Sequence, residues 1–268
     1  MRRAPCPRRV PLTAVFENEF IVAAVVYACV MGGAVLGFAL RGVLPEHHMS
    51  EPSRNVVNLA IGLIATLSAL VLGLLVASAK GSFDSRNEEV QSGAAKIILL
   101  DRALRQYGDE TKPTRELLRK LTQRRIDRTW GEGAGTSGLV TKADATSAEE
   151  VRARLFALAP ANDAQRWLMQ RALALTAEIE QARWLLIEEN RSSIPRPFLV
   201  VLVFWLTAIF ASLGLFAPRN ATVYTVIMVC ALSVSTAIFM ILEMDQPYDG
   251  LLRISSAPLV NAVLEIGH

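Results

Sequence analysis

The chain alternates between long apolar runs and charged, periodically apolar stretches. Ile21–Leu40, Val56–Ala79, Phe198–Ala217 and Ala221–Leu242 contain no Asp, Glu, Lys or Arg. Each is about as long as a helix crossing a ~30 Å hydrocarbon core. A backbone in lipid must satisfy its own amides, so these runs are predicted to be helices. Between the second and third runs the pattern changes to helical amphipathicity. Phe83, Val90, Ala94, Ile97, Ile98 and Leu104 share one stripe, so the second helix is expected to continue past the membrane, with a bend at Gly81, to Tyr107-Gly108.

A second polar-region helix is predicted from Thr111-Lys112-Pro113 to Trp130. Gly131–Thr146 reads as a loop rich in Gly, Ser and Thr. Ser147-x-x-Glu150 reads as a capping box that starts a short helix ending at Pro160. Asn162 is expected to cap a longer helix whose Leu168, Ala172, Leu175, Ile179, Ala182 and Leu186 alternate by four and three. That narrow seam needs a partner, either the Phe83–Leu104 helix or a neighbouring subunit. Pro195 and Pro197 end the helix before the third run. The third and fourth runs, joined only by Ala217–Asn220, must form an antiparallel hairpin.

The expected fold is therefore all-α, a four-span transmembrane helical protein with a cytoplasmic helical domain between spans two and three. Its divisions are a tail at 1–20, a first hairpin at 21–79, the helical domain at 80–197, a second hairpin at 198–242 and a C-terminal tail at 243–268. Composition agrees: 52% of residues are hydrophobic against 20% charged, and the mean hydropathy of +0.33 is high for a water-soluble chain with that charge content. The arginine-rich start before Ile21 suggests a signal peptide, but the apolar run is too long and ends in Leu40-Arg41-Gly42 with no small-x-small site. It is read as an uncleaved first span. Four Arg precede the first span and twenty Lys and Arg lie between the second and third, whereas only Arg41, Arg54 and Arg219 lie on the opposite side. By the positive-inside rule both termini are cytoplasmic.

The second span carries a distinctive stripe. Asn58, Gly62, Thr66, Ala69 and Gly73 fall within about 40° of one line at 100° per residue, and Ala77 and Lys80 extend it. Ile64, Leu67, Val71, Leu74 and Leu75 lie opposite. Small residues permit close helix packing; a weakly polar stripe with Asn at one mouth and Lys at the other also suits a pore lining for ions. Both readings stand. Gly33-x-x-x-Gly37 in the first span reads as a packing face.

Four carboxylates form a candidate cation or salt-bridge cluster: Asp101, Glu243, Asp245 and Asp249. Asp101 interrupts an apolar stripe and is expected to meet an Arg or a helix N-terminus, since a buried unpaired charge is costly. Glu243, Asp245 and Asp249 follow the last span, where they either bind a hard cation or cap and bridge to Arg253 and other arginines.

Much chemistry is excluded. Cys6, Cys29 and Cys230 have no zinc or disulfide spacing. His47, His48 and His268 sit in a loop and at the terminus, and there is no phosphate loop, nucleophile elbow or HExxH. No catalytic residue, metal or cofactor is assigned. Spans free of Asp, Glu, Lys and Arg lack the usual mark of a proton-coupled transporter. A net charge of +3 without a basic stripe interleaved with aromatics gives no reason to expect nucleic acid.

Leu70–Lys80 (LVLGLLVASAK), Ile98–Arg102 (ILLDR), Tyr107–Asp109 (YGD), Trp205–Asn220 (WLTAIFASLGLFAPRN) and Leu242–Leu259 (LEMDQPYDGLLRISSAPL) resemble the bestrophin-like family of bacterial integral membrane proteins. That family is remotely similar to bestrophins, pentameric ion channels with four spans per subunit and a pore lined by the second. The resemblance implies a homo-oligomer, pentameric by analogy, in the bacterial inner membrane, passing ions. Glu243…Pro247-Tyr248-Asp249 is similar to the acidic-Pro-aromatic-acidic stretch after the last bestrophin span. The second span here has no aromatic residue, and no acidic run resembles the calcium clasp of animal bestrophins. Anion selectivity and calcium gating are not carried over. The competing function is a non-conducting scaffold or sensor that binds a partner through the Leu168–Leu186 seam.

Overall fold

The computed structural model describes residues 19–43, 51–131, 142–189, 196–218, 220–248 and 250–266. Eight α-helices are found among them: α1 (Glu19–Leu40), α2 (Glu51–Tyr107), α3 (Lys112–Trp130), α4 (Lys142–Phe156), α5 (Asp163–Glu189), α6 (Arg196–Phe216), α7 (Ala221–Asp245) and α8 (Ala257–Ile266). There is no strand among the described residues. Four helices, α1, α2, α6 and α7, are long and apolar enough to cross a membrane, as the apolar runs predict.

The chain forms two compact units, residues 1–80 with 193–245 and residues 81–192 with 246–268. The first is apolar. Val22, Val26, Val30 and Ala34 recur every fourth residue along α1 and are buried against Leu199, Leu202, Leu206 and Phe210 of α6 and Ile227, Ala231, Ile238 and Ile241 of α7. Helices in lipid gain little from hiding apolar surface, so close approach must supply the contact. Gly33 and Gly37 allow it: a Cβ added at Gly37 would lie 2.0 Å from Ala211 O, and one at Gly33 would lie 2.6 Å from Thr207 O. Gly214 reciprocates, its added Cβ falling 2.2 Å from Ala34 O. Phe20–Phe239 and Phe38–Tyr224 ring contacts, at 4.8 and 4.9 Å, join α1 to α7 at both ends.

The second unit is polar outside and apolar within. Its core gathers Val90, Ala94, Ile97, Leu100 and Leu104 of α2, Leu118 and Ile126 of α3, Val151 and Leu155 of α4, Ala172 and Leu175 of α5, and Leu259, Ala262, Val263 and Ile266 of α8. The seam of α5 thus meets α2 of the same chain: Ala172 and Leu175 are buried there, Ile179 packs against them, and Lys96 Nζ stands 3.4 Å from Glu178 Oε2. Leu168 is buried with Ala103 and Tyr107, while the side chain of Leu186 lies outside the described residues. The segment after the last span carries α8, which contributes four buried side chains to this core.

Local chemistry sets the boundaries. The helix α2 runs uninterrupted through Gly81. It stops at Gly108, whose φ of 138° and ψ of −179° suit only glycine. Thr111 is fully buried and its hydroxyl lies 2.5 Å from Leu104 O and 2.8 Å from Gly108 O, sharing one proton between two helix-end carbonyls. Asn162 caps α5, with Gln165 N donating to Asn162 Oδ1 at 2.8 Å. The expected capping box at Ser147 is displaced: α4 already begins at Lys142, so Ser147 is interior, and the helix ends at Phe156 rather than Pro160. The run Lys142-Ala-Asp-Ala has enough helix propensity to begin the helix a turn earlier. Residues 132–141 of the expected loop, the N-terminal arginines, Cys6, His47, His48, Pro195, Arg219, Asp249 and His268 lie outside the described residues.

Candidate pore-lining helix and acidic positions

All seven stripe residues of α2, Asn58, Gly62, Thr66, Ala69, Gly73, Ala77 and Lys80, are exposed in the protomer. A Cβ added at Gly62 or Gly73 meets nothing within 4 Å among the described residues. The side that packs at home is different: Ser68, Leu75 and Ala79 are buried, and Ser68 Oγ donates back to Ile64 O at 2.8 Å. A third face carries exposed Leu59, Leu63, Leu67, Leu70 and Leu74. The second span is consequently the least covered, with 11% of its apolar stretch buried against 33%, 28% and 28% for the first, third and fourth. Thr66 Oγ1 donates to Gly62 O at 2.9 Å, so its proton is committed and its lone pairs remain available on the stripe.

At the start of α2, Arg54 lies over the Phe216 ring at 5.7 Å. The Arg41 guanidinium donates to Ala217 O, covering a carbonyl at the C-terminal end of α6. An open apolar groove of about 180 Å³ is lined by Val71, Pro197, Phe198, Val201 and Trp205.

In the polar unit Asp101 is 1% exposed and fully engaged. Arg115 grips it from α3, Nε 2.6 Å from Oδ1 and Nη2 3.2 Å from Oδ2, and Arg105 Nη2 adds a contact at 3.1 Å to Oδ2. The same Arg115 Nη2 donates to Ile266 O at 3.3 Å. One guanidinium thus joins three helices, α2, α3 and α8. Arg102 and Glu265, 3.6 Å apart, add an exposed pair between α2 and α8. The apolar stripe around Asp101 signals that a cation must come to it, but its source, fourteen residues on and across a turn, has no sequence signal.

Glu243 and Asp245 stand at the C-terminal end of α7. Glu243 is 2% exposed and Asp245 is half-buried, both with interaction partners. Two residues apart on a helix, they point about 200° from each other rather than converging. Asp249 lies outside the described residues. No group of three His, Cys, Asp or Glu suited to a metal occurs among the described residues.

Three aromatic side chains take contacts that the sequence pattern does not assign to them. Trp130, at the end of α3, donates its Nε1–H to Ile254 O at 2.8 Å and meets Tyr248 edge to face at 5.7 Å. Ile254 N in turn donates to Pro247 O at 2.8 Å, closing the turn that follows the last span. Burial pushes the Tyr248 pKa up, while the charges of Arg125 and Arg86 pull it down and Glu89 raises it. Tyr107 is also buried, with a hydroxyl that has no hydrogen-bond partner among the described residues. Its pKa is raised by desolvation and then by the Glu110 charge. Tyr107 belonged to a family-like motif; Trp130 had no distinguishing pattern beyond closing a helix.

Among known proteins, the family model described as Bestrophin-like, a bestrophin-like domain, matches residues 27–259. Neither a curated protein nor a solved structure matches.

Proposed function

The chain belongs to the bestrophin-like family, and from that premise we propose that it is a homo-oligomeric membrane channel passing small ions through a pore lined by its second span. The observation that carries this reading is the open stripe of α2. Asn58, Gly62, Thr66, Ala69, Gly73, Ala77 and Lys80 are uncovered on the least buried of the four spans. A protomer that leaves its small, weakly polar face exposed while using Gly33, Gly37 and Gly214 for close packing leaves that face for something outside itself.

In this reading five subunits, by family resemblance, surround an axis, with the polar unit and both termini in the cytoplasm of a bacterial inner membrane. The Lys and Arg distribution supports the orientation. A ring of Lys80 at the cytoplasmic mouth favours anions, and no enzymatic step enters the mechanism. The scaffold reading has less support, because the α5 seam it needs is taken up within the protomer: Ala172 and Leu175 are buried in its core and Ile179 packs against that core.

Subunit number and axial radius of the purified protein test the proposal. The expected result is a ring with a hole lined by Asn58, Thr66 and Gly73; a monomer, or a tight dimer with no hole, overturns it. Ion flux into vesicles then tests Lys80: Lys80→Glu should reverse the charge preference, and unchanged selectivity would remove Lys80 from the filter.

A further inference from the structure

We draw no further inference here: the strongest candidate, the ridge of Leu59, Leu63, Leu67, Leu70 and Leu74 exposed on the second span beside its small-residue stripe, is an apolar face for which nothing in the structure shows whether lipid or a second copy covers it.

Discussion

The apolar and polar units close their interiors by opposite means. In the apolar unit α1 meets α6 because Gly33, Gly37 and Gly214 remove the atoms that would hold the backbones apart. In the polar unit an apolar core does most of the work and a buried carboxylate, Asp101, is held by Arg115 and Arg105. The difference follows the solvent. Water drives leucines together and leaves room for a paired charge, whereas lipid offers no such drive and makes van der Waals fit the main source of contact. The glycines of α2 break this rule. Gly62 and Gly73 lie on a membrane helix as Gly33 and Gly37 do, yet a Cβ added at either would meet nothing within 4 Å among the described residues.

The largest effect is expected in the polar unit. Asp101→Ala leaves Arg115 without its bidentate partner at a site where the carboxylate is 1% exposed, and stability should fall by about 3 kcal/mol. Thermal unfolding of the purified protein measures this, and a loss below about 1 kcal/mol would mean that the pair behaves as a surface bridge. In the apolar unit Gly37→Ala sets the propensity gain of a helical Ala against a clash with Ala211 O at 2.0 Å. The clash should win, with a net loss of about 2 kcal/mol. A neutral outcome would show that α1 and α6 can separate freely.

Trp130→Phe keeps the ring against Tyr248 but removes the donor to Ile254 O. It should cost about 1 kcal/mol and speed hydrogen exchange at the Ile254 amide. Exchange unchanged from the parent would leave the turn after the last span independent of α3. Smallest in stability but sharpest in meaning are Gly62→Ala and Gly73→Ala, which should be neutral or stabilise the protomer by up to about 1 kcal/mol. If the stripe lines a pore, conductance falls while subunit number is retained. If it packs on a neighbour, subunit number falls instead.

The legibility of the chain varied from element to element. Helices α1, α6 and α7 match their apolar runs to within three residues at each end, because hydrocarbon thickness and absent charge are both written in composition. Helix α2 was readable through its change from a membrane run to the Val90–Leu104 stripe. The start of α4 was not, since a capping box can occur inside a helix when the residues before it also favour helix. Of the candidate site, the small stripe was plain at 100° per residue, and so was the need of Asp101 for a cation. The identity of that cation, Arg115, depended on a glycine turn at Gly108 and on which way α3 left it.

The sequence by itself determined four apolar helices, a polar helical region and the small face of the second span, because length, charge and period act locally. Only the tertiary structure decided that α8 completes the polar core, that Arg115 joins Asp101 to Ile266 O, and that two glycine patterns meet different surroundings within the protomer. Those outcomes depend on which backbones approach one another. A Cβ at Gly37 would meet Ala211 O, while one at Gly62 or Gly73 would meet nothing among the described residues, and a side chain absent from both patterns cannot say which neighbour will arrive.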